Sequence, residues 1–156
     1  MRVTTYKTML CQDTNHNILV KDMSTNYSRI NRIDSPEAIA EIMRNIFNLD
    51  YAAEEYLYMI AVNTKCSPLG FFEVSHGTVN ASLINPRELF IRALLTGATS
   101  IFLCHNHPSS DSTPSQEDIK VTRRIKEAGD LLGIKLLDHI IIGNSEYFSF
   151  KEKNII

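Results

Sequence analysis

The sequence predicts an α/β chain in which one mixed sheet is flanked by helices. Three observations point there. Segments with helical spacing and segments of strand-like composition are interleaved, and short connections marked by Pro and Gly join them. The 156 residues fit one domain of ordinary size. Hydrophobic residues make up 44% and charged residues 22%, which is enough apolar material for a buried core and too little charge for a disordered chain.

The elements follow in order. Residues 1–34 are polar and read as an N-terminal extension packed on the core, with strands over 3–10 and 17–20. The main domain is expected over 35–156. It opens on Ser35-Pro36-Glu37, which supplies an N-cap, a proline at the first helical position and an acid in the first turn. Ile39, Ile42, Met43, Ile46 and Phe47 follow at helical spacing, so an amphipathic helix should run to about Asn48. Residues 55–62 and 69–75 read as strands, with Pro68 and Gly70 marking the turn between them. Asn85-Pro86 opens a second helix with Leu89, Phe90, Ala93 and Leu94 as its expected buried face, and Gly97 closes it. Residues 99–104 form a short apolar run, read as a buried strand, that leads directly into His105-Asn106-His107-Pro108. Pro114-Ser115 opens a third helix carrying Ile119, Ile125, Ala128 and Leu132, and Gly133 stops it. Strands over 134–142 and 146–150, joined at Gly143-Asn144, complete the chain.

Charge and cysteine usage narrow the function classes. The net charge is −2, so no general attraction to phosphate backbones is expected and DNA gains no support as a partner. Lys120, Arg123, Arg124 and Lys126 form a local basic set. They share their helix with Glu and Asp, as a solvated face does. The three cysteines, Cys11, Cys66 and Cys104, are odd in number and widely spaced, which suits neither a disulfide framework nor a cysteine metal site. No apolar stretch approaches the roughly 20 residues of a membrane span, and the N-terminus has no signal-peptide core. A cytoplasmic protein without membrane contact is the expectation.

The chemistry concentrates after the strand at 99–104. Residues two apart in extended backbone point the same way, so His105 and His107 converge on one point. Neutral imidazoles are good zinc ligands, and a catalytic zinc site takes three protein ligands and leaves one position for water. Asp118, in the first turn of the next helix, is the leading third ligand, with Asp111 as its rival on spacing. Ser115-x-x-Asp118 also fits a helix-capping pattern, and the two roles can coexist. Cys104 should face away from the metal, and Asp138-His139 is not expected to ligate. His16 and His76 read as solvated, and Met9, Met23, Met43 and Met59 as core or incidental surface residues.

The spacing His105-x-His107, seven residues, Ser115, two residues, Asp118 is that of the JAMM (MPN+) motif. The wider text HNHPSSDSTPSQEDIKVTRRIKEAGDLLGIKLLDHIIIG, with NPRELFIRALLTGA before it and SFKEKNII after it, resembles the RadC-like branch of the JAB family over roughly residues 50–156. The resemblance implies a JAB/MPN mixed sheet related to the cytidine deaminase-like architecture. It implies Zn2+ on His105, His107 and Asp118 and hydrolysis of a peptide or isopeptide bond in a peptide or protein substrate. It further implies a glutamate as general base, matched by Glu55 in AAEEYLYMIAV with Glu54 one register away, and a serine, Ser115, that helps hold the oxyanion.

Competing readings separate on residues. Zinc deaminases use His-x-Glu with a Pro-Cys-x-x-Cys pair, which is absent here. HNH nucleases disperse their His-Asn-His residues, whereas here the three are contiguous. A DNA-repair association is the main alternative, since proteins similar to RadC carry that label. Longer members have an N-terminal helix-hairpin-helix region, but the roughly 50 residues before the core carry no hairpin signature of that kind. A metal-bearing binding module without catalysis is the third reading, and it gives no chemical reason for the glutamate.

Overall fold

The computed structural model describes residues 1–30, 32–77 and 84–156. Among these residues, seven strands form one mixed sheet: β1 (Arg2–Leu10), β2 (Asn17–Asn26), β3 (Glu55–Val62), β4 (Pro68–Gly77), β5 (Ser100–Asn106), β6 (Lys135–Ile142) and β7 (Tyr147–Ser149). The α-helices of the described residues flank it: α1 (Pro36–Phe47), α2 (Pro86–Leu95) and α3 (Gln116–Leu132). The strand order is β2-β1-β4-β3-β5-β6-β7. β3 is antiparallel to both β4 and β5, and β5 runs parallel to β6 with α3 as the crossover between them. Among the described residues no helix is long and apolar enough to cross a membrane.

The caps set the helix boundaries. Ser35 Oγ accepts from the Ala38 N–H at 3.2 Å, and Asn85 Oδ1 accepts from the Arg87 N–H at 3.0 Å. Asn48 ends α1 in the left-handed region at φ 49°, and a 3₁₀ turn over Leu49–Tyr51 follows. Gly133 ends α3 at φ 71°, where a side chain would be strained.

Strand alternation divides the core into two layers. On β3 and β5, Leu57, Met59, Ile101 and Leu103 join α2 and α3. Ile60, Val62, Phe102 and Cys104 turn to the opposite face and join Ile39, Ile42 and Met43 of α1. β5 is therefore apolar on both sides, as a central strand must be. Cys104 lies on the α1 side, and burial raises the pKa of its thiol.

Several boundaries and faces differ from the expectation. β2 continues to Asn26 and pairs with β1 as a long hairpin. β1 joins the sheet through a parallel contact, Thr5 opposite Phe71. Leu94 is 56% exposed, so the buried face of α2 is Leu89, Phe90 and Ala93. Leu132 is 46% exposed, and the buried stripe of α3 contains Asp118 and Thr122 beside Val121, Ile125 and Gly129. A hydrophobic template misses that stripe because two of its members are polar groups satisfied inside the protein.

Asp138 is one of the buried polar residues. It accepts from Ser149 Oγ at 2.5 Å, from the Lys151 N–H at 3.0 Å and from the His139 N–H at 2.7 Å. Burial raises its pKa against the pull of these three donors. Asp138→Ala should cost about 2–4 kcal/mol, because it leaves buried donors without an acceptor. Asp138→Asn keeps one acceptor oxygen and should cost about half as much. Urea denaturation of the two variants checks the order.

Candidate metal centre

The site is assembled at the end of β5. Leu103 and His105 share a face, so His105 enters the α3 side of the sheet fully buried. The His107 N–H donates to the Ile142 carbonyl at 3.1 Å, which continues the extended path beyond the strand. The two Nε2 atoms then stand 3.1 Å apart. Two nitrogens bound tetrahedrally to one zinc would be about 3.3 Å apart, so the pair is already at ligand spacing.

Asp118 completes the cluster from the first turn of α3. Its Oδ1 is 3.2 Å from His105 Nε2, and its Oδ2 is 3.5 Å from His107 Nε2. Oδ2 is held by the Ser115 N–H at 2.7 Å and the Ser115 Oγ–H at 2.6 Å, while Ser115 Oγ accepts from the Asp118 N–H at 3.1 Å. This capping box turns the carboxylate toward the histidines, with Oδ1 nearest His105, so one side chain both caps the helix and faces the two imidazoles. Burial by itself would raise the Asp118 pKa. Hydrogen bonding with His105 and His107 outweighs it and holds the carboxyl well below the usual range. The same contact with Asp118 raises the pKa of His107 against the effect of burial.

Glu55 approaches from β3. The β3–β5 register places Leu57 opposite His105, and Glu55 lies two residues earlier on the same face. Its Oε1 is 3.8 Å from His105 Nε2 and 3.9 Å from His107 Nε2. Ligand atoms of Glu55, His105, His107 and Asp118 all lie within 4.8 Å of one another. Glu54, of opposite parity, is exposed and outside this group. The set of two imidazoles, a carboxylate and a further glutamate fits a divalent metal with an activated water.

Asp111 does not join the cluster. Its backbone carbonyl accepts from His107 Nδ1–H at 2.6 Å, which makes Nε2 the nitrogen that faces the centre. Its carboxylate instead accepts from the Thr113 N–H at 2.9 Å. Ser115 stands at the rim with its hydroxyl hydrogen directed to Asp118.

Sequence reasoning did not single out two supporting residues. Asn106, between the histidines, points to the α1 side. Its Oδ1 accepts from the Tyr56 N–H at 2.8 Å, and its Nδ2 donates to the Glu54 carbonyl at 3.0 Å. Those bonds bracket Glu55 on both sides. Thr122, one helical turn after Asp118, bonds to His139, which in turn bonds to His105. The spacing of Thr122 from Asp118 was available in the sequence, but its partner on β6 was not.

Comparison with known proteins shows the family. The UPF0758 protein of Clostridium tetani is 47% identical over 131 residues, covering 84% of this chain and 55% of that protein. The UPF0758 protein of Clostridium novyi is 48% identical over 124 residues, covering 80% of this chain and 54% of that one. The Alkaliphilus metalliredigens UPF0758 protein is 44% identical over 131 residues, covering 83% and 56%. The chain thus spans about half the length of the relatives it matches. A match to the RadC-like JAB domain covers residues 33–155 and so takes in α1, which lies before the text that carried the resemblance. With the match running through β3, the two histidines and α3 to the last turn, the chain belongs to the RadC-like JAB domain family.

Proposed function

We propose that this chain is a zinc-dependent hydrolase of the metallopeptidase type that cleaves a peptide or isopeptide bond in a peptide or protein substrate. The observation that carries the proposal is the convergence of Glu55 on the His105, His107 and Asp118 cluster. Three ligands leave a position for water, but a protein that only binds could carry them too. A carboxylate standing just beyond the ligand atoms is what hydrolysis adds to the requirement.

His105, His107 and Asp118 would hold the metal. When bound, zinc supplies a water acidified from about 15.7 toward about 7 and a Lewis-acid contact for the substrate carbonyl. Glu55 accepts the proton from the attacking water and delivers it to the leaving amine. Asn106 fixes the backbone on either side of Glu55, so the carboxylate arrives in one orientation. Ser115 contributes a hydroxyl to the developing oxyanion once its hydrogen rotates away from Asp118. Residues 1–34 are proposed as an extension whose β1–β2 hairpin widens the sheet without contributing to the cluster. The unpaired cysteines suit a reducing cytoplasmic setting.

The test is a library of peptide and isopeptide substrates with the zinc-loaded protein and its Glu55→Gln variant. Wild type should cleave, and Glu55→Gln should keep its metal while losing about 10²–10⁴-fold in rate. Equal cleavage by both proteins would remove Glu55 as the base. A wild-type protein that takes up no metal from added zinc would overturn the proposal.

A further inference from the structure

His139 and Thr122 take no part in the chemistry above, yet both are buried beside it. Thr122 Oγ1 is 2.6 Å from the Asp118 carbonyl oxygen and 2.6 Å from His139 Nδ1. His139 Nε2 is 2.8 Å from His105 Nδ1. His105 Nε2 faces the Asp118 carboxylate at 3.2 Å. A chain of three hydrogen bonds therefore runs from the main chain of Asp118 through Thr122 and His139 to His105, whose Nε2 faces the side chain of Asp118.

Each link carries one hydrogen, so the chain has a direction. A carbonyl only accepts, so the contact with Asp118 is made by the Thr122 hydroxyl hydrogen. The Thr122 oxygen then accepts from His139 Nδ1–H. The His139 ring is stacked on Phe150 at 4.9 Å and 13°, and its two nitrogens meet a hydroxyl and another imidazole rather than a carboxylate. That is a setting for a neutral ring with a single hydrogen. With this hydrogen on Nδ1, His139 Nε2 accepts from His105 Nδ1–H, and His105 Nε2 carries a lone pair. The reverse direction places a hydrogen on His105 Nε2, between the imidazole and Asp118, where it blocks a metal.

We infer that Thr122 and His139 are positioning residues that hold His105 in its Nδ1–H tautomer and so present the Nε2 lone pair to a divalent metal. The inference rests on the metal-centre reading above and extends it to two residues outside the ligand set. For His107 the Asp111 carbonyl does the same task in one step. For His105 it takes two side chains, from α3 and β6, because the ring lies deeper.

Zn2+ affinity, measured by competition with a chelating indicator, tests the inference in wild type, Thr122→Val and Thr122→Ser. Thr122→Val keeps the shape of the residue and removes the hydroxyl, and its Kd should rise about 10- to 100-fold. Thr122→Ser restores the hydroxyl and should stay within about 3-fold of wild type. Histidine ¹⁵N spectra of the zinc-loaded wild type provide a second readout that does not depend on how well a variant folds. They should show His105 and His139 each protonated at Nδ1, with His139 Nε2 bare. Wild-type affinity in folded Thr122→Val, or a hydrogen on His139 Nε2 in the loaded protein, would overturn the inference and leave the metal centre standing. Absence of zinc binding by wild type would overturn the metal-centre reading, and this inference with it.

Discussion

Replacing Asp118 by alanine is expected to empty the metal centre and loosen the start of α3 in one step. The carboxylate divides its two oxygens between those tasks: Oδ1 faces His105, and Oδ2 is held by the Ser115 N–H and Oγ–H. Without it two imidazoles remain, and two neutral ligands are too few to retain zinc against dialysis. Metal content should fall from about one zinc per chain to none detectable. Loss of the capping box should cost about 0.5–2 kcal/mol in addition. Asp118→Asn separates the effects. Its amide oxygen can still accept from Ser115, but the –NH2 group then faces His105 and offers no ligand atom. Metal should be lost in both variants and stability only in the alanine one, as elemental analysis and urea denaturation would report. An Asp118→Ala protein still carrying a full complement of zinc would remove Asp118 from the ligand set.

Gly129→Ala is expected to be the most damaging of the conservative substitutions considered. In an exposed helix this change stabilises by about 1 kcal/mol. Here a Cβ at Gly129 would lie 2.4 Å from the Ile134 carbonyl oxygen and 3.2 Å from Phe90 Cζ. The Ile134 neighbour is backbone, at the entry to β6, and is itself tied to Gly129 by an N–H···O bond of 2.9 Å. Relief therefore requires α3 to move away from the sheet rather than one side chain to turn. The expected loss is about 2–4 kcal/mol, or a fall in Tm of about 5–15 °C. A thermal melt decides it, and a Tm at or above that of wild type would show that α3 can shift at no cost. Because α3 also carries Asp118 and Thr122, the variant should bind zinc more weakly than wild type.

Local rules make much of this protein legible in its sequence. Strand periodicity alone placed His105 and His107 on one side and Cys104 on the other. Capping chemistry alone put Ser35, Asn85 and Ser115 at helix starts. Where those rules leave a rival residue, tertiary contacts show which one stands at the cluster. Glu54 and Glu55 are equivalent by composition and differ by one step of register, and the register that sets Leu57 opposite His105 puts Glu55 beside the cluster. Asp111 and Asp118 both lie within reach of the histidines along the chain. The capping box turns one carboxylate inward, while the other is spent on the Thr113 N–H. Leu94 and Leu132 fit a helical template but face solvent, because the sheet covers only part of each helix.

By itself, then, the sequence determined what depends on neighbours along the chain: helix caps, strand parity, the two converging imidazoles and the family resemblance. Only the tertiary structure decided what depends on contacts between distant segments. Those are the choice of Glu55 by β3–β5 pairing, the clamp of Asn106 on residues 54–56, and the chain from Asp118 through Thr122 and His139 to His105. The physical reason is range. A backbone dihedral or a cap is set by residues within a turn of one another, whereas a hydrogen bond across 34 or 50 residues exists only after the sheet has formed.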